Sequence, residues 1–72
     1  MNRYAIIVFW SDADDSWVAD VPELKSCAAF GATPKEAVTE VRTAMNVWLD
    51  AARHAGQPIP EPRYQPHHEA AE

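Results

Sequence analysis

GATPKEAVTEVRTAMNVWLDAARHAG, residues 31–56, is the stretch on which the fold turns. Thr33 can cap a helix with its hydroxyl, Pro34 suits the first helical position, and Glu36 stands three residues after the cap. Beyond it, Ala37, Val38, Val41, Ala44, Met45, Trp48, Leu49 and Ala52 recur at offsets of three and four. Glu36, Glu40, Arg42, Asp50 and Arg53 fall mostly on the other side, so one face is apolar and one is wet. Gly56, just after His54, marks the stop. The pattern predicts a helix over about 34–55, roughly five turns and long enough to cover a small sheet.

The sheet is expected upstream. Residues 3–10 read as a strand, rich in β-branched and aromatic side chains and ending at the turn formers Ser11-Asp12-Ala13-Asp14-Asp15. Tyr4, Ile6, Val8 and Trp10 alternate with Ala5, Ile7 and Phe9, so both faces are apolar. A strand with one wet face would alternate apolar with polar, and something is therefore expected to pack on each side. Residues 16–21 resume as a second strand, making a hairpin that Pro22 stops because it has no N–H for a ladder. A third strand is expected over 27–30, after which Gly31 frees the backbone for a turn into the helix.

Downstream, Pro58, Pro60, Pro62 and Pro66 enforce extended backbone. Residues 57–64 are thus either a fourth edge strand or a polyproline-like arm, and residues 65–72 have nothing to bury and are expected to fray. The fold class is α+β: a small antiparallel sheet of three or four strands with one long helix on one face, in one domain over residues 1–62.

Composition excludes other classes. Seventy-two residues make one small domain, of a size that usually needs a disulfide, a metal or a partner subunit to supplement its core. A single cysteine, Cys27, rules out an internal disulfide, and no Cys/His cluster has zinc-ligand spacing. Self-association is what remains, most simply as a twofold dimer. The longest apolar run, residues 5–10, is far short of the roughly 20 residues that span a bilayer. One thiol and no signal peptide point to the cytoplasm. Six basic against eleven acidic residues give a net charge of −5, which favours a basic protein partner over nucleic acid.

The residues that could carry chemistry are few. Asp12, Asp14 and Asp15 in the turn, with Asp20 one strand on, could hold Mg²⁺ or share acid–base work, but they lack the glycine and distal Glu of a calcium loop. The plainer reading is a solvated turn, with contact to a basic partner or to a metal as the alternatives. His54 sits near a helix C-terminus, where the dipole favours a cation, and His67 and His68 sit in the tail. None has a visible orienting partner or pocket, which a catalytic histidine needs. Cys27 lies in an apolar strand without a cationic neighbour and reads as a buried small hydrophobe. No catalytic, cofactor or metal site is assigned. Trp48 belongs to the helix stripe, whereas Trp10 and Trp17 flank the acidic turn, and aromatic anchors beside carboxylates suit a basic partner.

The order of these motifs resembles the HicB-like antitoxin family. The matching residues are Trp17-Val18-Ala19, Val21-Pro22-Glu23-Leu24, Cys27, the run Gly31 to Ala37, Ala44, Trp48-Leu49 and Gly56-x-Pro58-x-Pro60-x-Pro62, covering roughly residues 4–62. Where the family usually has Pro-Gly before the cysteine, this chain has Lys25-Ser26. Many members continue into a DNA-binding module, and this sequence is expected to lack one. The resemblance implies a β-β-β-α-β unit like a cut-down ribonuclease H fold. It implies a non-enzymatic antitoxin that occludes a small basic HicA-like mRNA-cleaving toxin, itself resembling a double-stranded RNA-binding domain. A solitary homo-oligomeric regulator or scaffold is the alternative. The partner-binding residues expected are Trp10, Asp12, Asp14, Asp15 and Trp17, and on the proline arm Pro60, Pro62 and Tyr64.

Overall fold

The computed structural model describes residues 3–62 of the chain. Three strands, β1 (Ile7–Ser11), β2 (Ser16–Asp20) and β3 (Ala28–Gly31), precede one helix, α1 (Pro34–Ala55). They form an antiparallel sheet in the order β1-β2-β3. The α+β class with one long helix on a small sheet is therefore what the chain adopts.

The helix begins and ends where its capping residues stand. Thr33 is in extended backbone and its Oγ1 accepts from the Glu36 N–H at 3.1 Å, while Glu36 Oε1 accepts in return from the Ala32 N–H at 3.0 Å. This reciprocal pair satisfies amides that the first helical turn leaves without partners. At the other end Gly56 takes φ 69°, and the Gly56 and Gln57 N–H groups close on the Arg53 and Ala52 carbonyls at 3.1 and 2.9 Å. That left-handed closure is the glycine-dependent helix stop. The predicted stripe is the one that packs. Ala37, Val41, Met45, Leu49 and Ala52 are buried, and Ala44 and Trp48 lie half-buried against the core.

The core sits between α1 and one face of the sheet. It joins the helix stripe to Ala19, Val21, Leu24 and Cys27, with Tyr4, Ile6, Val8, Trp17 and Ala29 packed around it. The helix lies chiefly over β3 and β2 and touches β1 little. Cys27 is buried, and burial followed by the nearby Asp20 carboxylate pushes its thiol up from the usual range. A thiol held protonated at neutral pH is a packing residue rather than a nucleophile.

All three strands differ in their bounds from the sequence reading, the first also running one residue further, to Ser11. The first strand starts at Ile7 and not at residue 3, because Ile7 pairs with Asp20, the last residue of β2. Residues 3–6 therefore have no ladder to join. The second strand ends at Asp20, one residue earlier than expected, and the Val21 N–H bonds to the Cys27 carbonyl at 3.0 Å instead. The third is shifted one residue to Ala28–Gly31, since Gly31 pairs with Trp17. Of the two readings for the arm, residues 57–62 contain no strand. Prolines at 58, 60 and 62 remove every second N–H, which strips the donors from one edge of an extended segment. Tyr64 and the tail 65–72 lie outside the described residues.

The connection across residues 22–26 is a compact loop tied by Leu24 N–H to the Val21 carbonyl and Cys27 N–H to the Leu24 carbonyl, both at 3.1 Å. Ser26 takes φ 61° there. Lys25-Ser26 thus makes this turn with a residue that is strained in the left-handed region. Ser26→Gly is expected to raise stability by about 1 kcal/mol, the relieved strain exceeding the added freedom of the unfolded chain. Urea titration checks this, and an unchanged midpoint would mean that Ser26 carries no strain.

Candidate functional site

The hairpin turn gathers most of the acidic and aromatic residues singled out above. Ser11 and Ser16 close the ladder, and Asp12–Asp15 cross between the strands with an Asp15 N–H to Asp12 carbonyl bond of 3.3 Å. Asp15 takes φ 52°, a conformation that Asp tolerates better than most residues. Ser11 Oγ donates to Asp14 Oδ2 at 2.8 Å and accepts from the Asp14 N–H at 3.3 Å, while Ser16 Oγ donates to the Asp14 carbonyl at 3.1 Å. Short polar side chains bonding their own loop are why this sequence turns here.

Trp10 and Trp17 face each other across β1 and β2. Their rings pack edge to face with centroids 5.7 Å apart and planes at 73°, the arrangement favoured by the ring quadrupoles. Trp10 Nε1–H donates to Asp12 Oδ1 at 2.8 Å, although Trp10 remains 45% exposed. An indole, its partner ring and a carboxylate are thus held in one orientation at the surface. Trp10, Asp12, Asp14, Asp15 and Trp17 lie together at the turn end of the hairpin.

Asp20 does not belong to it. It pairs with Ile7, at the end of the hairpin away from the turn, four residue steps along β2 from Ser16, about 13 Å. The grouping of four acids that the sequence allowed is therefore split. Among the described residues no group of three or more His, Cys, Asp or Glu side chains could hold a metal ion, and no polar or charged side chain is buried. No helix there is long and apolar enough to cross a membrane.

The proline arm is tied down at the opposite end of β1. Tyr4 OH donates to the Pro60 carbonyl, and Pro60 is half-buried while Pro62 is exposed. Burial raises the Tyr4 pKa, the Glu23 and Glu61 carboxylates add to the rise, and Arg53 opposes it. A neutral phenol is what this bond needs, because the phenol is the donor. The hairpin patch and the arm are consequently two separate surfaces. Trp48, expected in the core, is half-buried and uses its indole N–H to hold the Lys25 carbonyl at 2.9 Å, bracing the 22–26 loop.

A further surface was only half legible. Strand side chains alternate between faces, and with Val8, Ala19 and Ala29 packed on the helix side, Phe9, Val18 and Phe30 form a row across the other face. Phe9 and Phe30 are 45% and 50% exposed, and Ile7 lies beside them. The sequence reading noted Ile7 and Phe9 as a second apolar face of the first strand. It did not extend the row to Val18 and Phe30, which the alternation Cys27, Ala29, Gly31 against Ala28, Phe30 would have allowed.

Comparison with known proteins gives a consistent answer. Residues 4–71 match the family model described as HicB_like antitoxin of bacterial toxin-antitoxin system. The chain is 33% identical over 54 residues to the UPF0150 protein ssl0259 of Synechocystis sp., covering 75% of this chain and 74% of that protein. It is 29% identical over 58 residues to the UPF0150 protein Ta0767 of Thermoplasma acidophilum, covering 81% and 83%. No solved structure matches the chain significantly. With the strand–turn–strand, the 22–26 loop, the capped helix and the proline run all inside the matched span, the chain belongs to the HicB-like antitoxin family of bacterial toxin–antitoxin systems.

Proposed function

We propose that this chain is the antitoxin of a type II pair, neutralising a small basic HicA-like mRNA-cleaving toxin by stoichiometric binding that covers its active site or its RNA surface. It works as a binding protein in the cytoplasm, without a catalytic step, cofactor, membrane or direct nucleic-acid contact of its own, and it self-associates. Family membership supports the toxin as the kind of partner. The observation that carries the assignment of a surface is the Trp10–Asp12–Trp17 cluster, exposed yet fixed by a hydrogen bond and a ring contact. A pre-oriented aromatic anchor loses little freedom on docking, and adjacent carboxylates draw a basic partner toward it. The net charge of −5 extends that attraction beyond the contact itself. The arm at Pro60, Pro62 and Tyr64 is the second contact proposed, being pre-extended.

The test is co-expression with a small basic HicA-like protein encoded next to this chain's gene, with complex formation, growth rescue and RNA protection as readouts. A stable complex that protects RNA is expected. Loss of all three would overturn the toxin reading. Within a complex, Trp10→Ala is expected to weaken binding by about 100-fold or more, the range of a central aromatic anchor. Unchanged affinity in a folded variant would remove the hairpin patch.

A further inference from the structure

We propose that the open face of the sheet, built on Phe9, Val18 and Phe30 with Ile7 beside them, is the surface on which a second copy of this chain docks. The inference deepens the self-association proposed above by naming its surface, and it leaves the hairpin patch of each copy free. The three side chains stand in register, Phe9 opposite Val18 and Val18 opposite Phe30, so they make a continuous apolar row across the whole sheet. Val18 is only 6% exposed because the two phenylalanines flank it. Among the described residues no element packs on this face, since the single helix lies on the other. A sheet that is apolar on both faces needs two layers against it. Two copies meeting face to face supply the missing layer for each other, giving helix–sheet–sheet–helix with the sheets about 10 Å apart.

Charge selects the occupant. The strand residues on this face are Ile7, Phe9, Ser11, Ser16, Val18, Asp20, Ala28 and Phe30, and Asp20, at the end of the central strand between Ile7 and Ala28, is the only ionisable one. A basic partner would be recognised by carboxylates, which this chain collects in the hairpin turn. A second copy carries the same net charge of −5 and needs a contact surface from which charge is withdrawn. Area fits the same occupant. Phe9 and Phe30, about half exposed, each leave on the order of 100 Å² of ring to cover. With Ile7 this makes an apolar patch of about 300 Å² per copy, or about 600 Å² in a face-to-face pair, the size of a small and weak interface. A dimer of micromolar affinity is expected.

The experiment is size-exclusion chromatography with light scattering on the full chain at roughly 100 µM, well above a micromolar Kd. Wild type is expected at twice the chain mass of 8.0 kDa. Phe9→Lys and Phe30→Lys are each expected to weaken the dimer at least about 100-fold, by burying an unpaired charge, and to elute as monomers. Phe9→Thr and Phe30→Thr, which suit a strand, give the same readout should the lysine variants fail to fold. Val47→Lys, at a 64%-exposed helix position, leaves the dimer intact. Raising salt is expected to preserve or tighten the dimer by screening the repulsion of like-charged copies, whereas it weakens binding to a basic toxin. A monomeric wild type would overturn self-association itself, whatever covers the face instead. A dimer that survives both phenylalanine substitutions, or one that Val47→Lys breaks, would overturn this surface while self-association stands.

Discussion

Gly31→Ala is expected to lose about 3 kcal/mol of stability and to lower the melting temperature by roughly 10–25 °C. A Cβ built on Gly31 would come to 2.5 Å from the Ala37 nitrogen, 2.8 Å from Glu36 Cβ and 2.9 Å from the Glu36 carbonyl carbon. Two of those three atoms are backbone, so no rotamer change relieves the clash. Moving the first turn of α1 away would strain the Thr33 cap, whose bond to the Glu36 N–H is worth about 1 kcal/mol by itself. The same shift would draw Ala37 and Val41, both fully buried, off the sheet. A domain of this size has on the order of 3–5 kcal/mol in total, so the variant is expected to be largely unfolded at 37 °C. Thermal melting by circular dichroism is the check. A melting temperature within a few degrees of wild type would show that the strand and the helix do not approach this closely.

The second large effect comes from a loop. Leu24→Ala is expected to cost about 3–5 kcal/mol, the range for emptying a fully buried leucine site. Leu24 lies in the 22–26 connection, where side chains are ordinarily expendable. Here it is 1% exposed and stands with Met45, Val21 and Val41 as the largest fully buried side chains. Its N–H and carbonyl also close the two turns of the loop onto Val21 and Cys27. The substitution therefore empties a core position and loosens the segment that sets β3 against β2. Lys25→Ala, one residue on and exposed, is expected to change stability by less than about 0.5 kcal/mol. Urea titration of the pair separates the two cases. Equal midpoints would mean that the loop does not contribute to the core.

These two variants also bear on binding. The hairpin patch is displayed by β1 and β2, and only β2 and β3 are covered well by the helix. Loss of the β3–α1 contact is therefore expected to abolish the toxin binding proposed above, by unfolding the sheet that displays the patch. Trp10→Ala should do the reverse, costing only about 1 kcal/mol of stability through the lost ring contact while weakening the proposed complex.

Most of the candidate site could be read from residue order alone. Trp10 and Trp17 are placed opposite each other by a hairpin whose turn is announced by Ser11 to Asp15, and local hydrogen bonds then decide the rest. Asp20 was misgrouped because proximity in sequence across a hairpin does not say which face or which end of the ladder a side chain occupies. The proline arm was legible as extended chain, but its attachment through Tyr4 and Pro60 links residues 56 apart, a pairing no local pattern carries.

Local chemistry settled the helix and the hairpin in advance. Thr33, Pro34, Glu36 and Gly56 bound α1, and the three-four spacing of its apolar residues names the face that packs, because capping and helical periodicity act within a few residues. Tertiary structure decided the roles of Gly31, Leu24 and Phe30. Gly31 looked like a residue chosen for turning. It proves to be a glycine because a helix passes over a strand there with no room for a Cβ, and its φ is not in the left-handed region. Leu24 looked like part of a connection and is core, and Phe30 looked like part of a short strand and completes an open apolar face. Each depends on which surfaces meet, and that is set by packing between elements far apart in the chain.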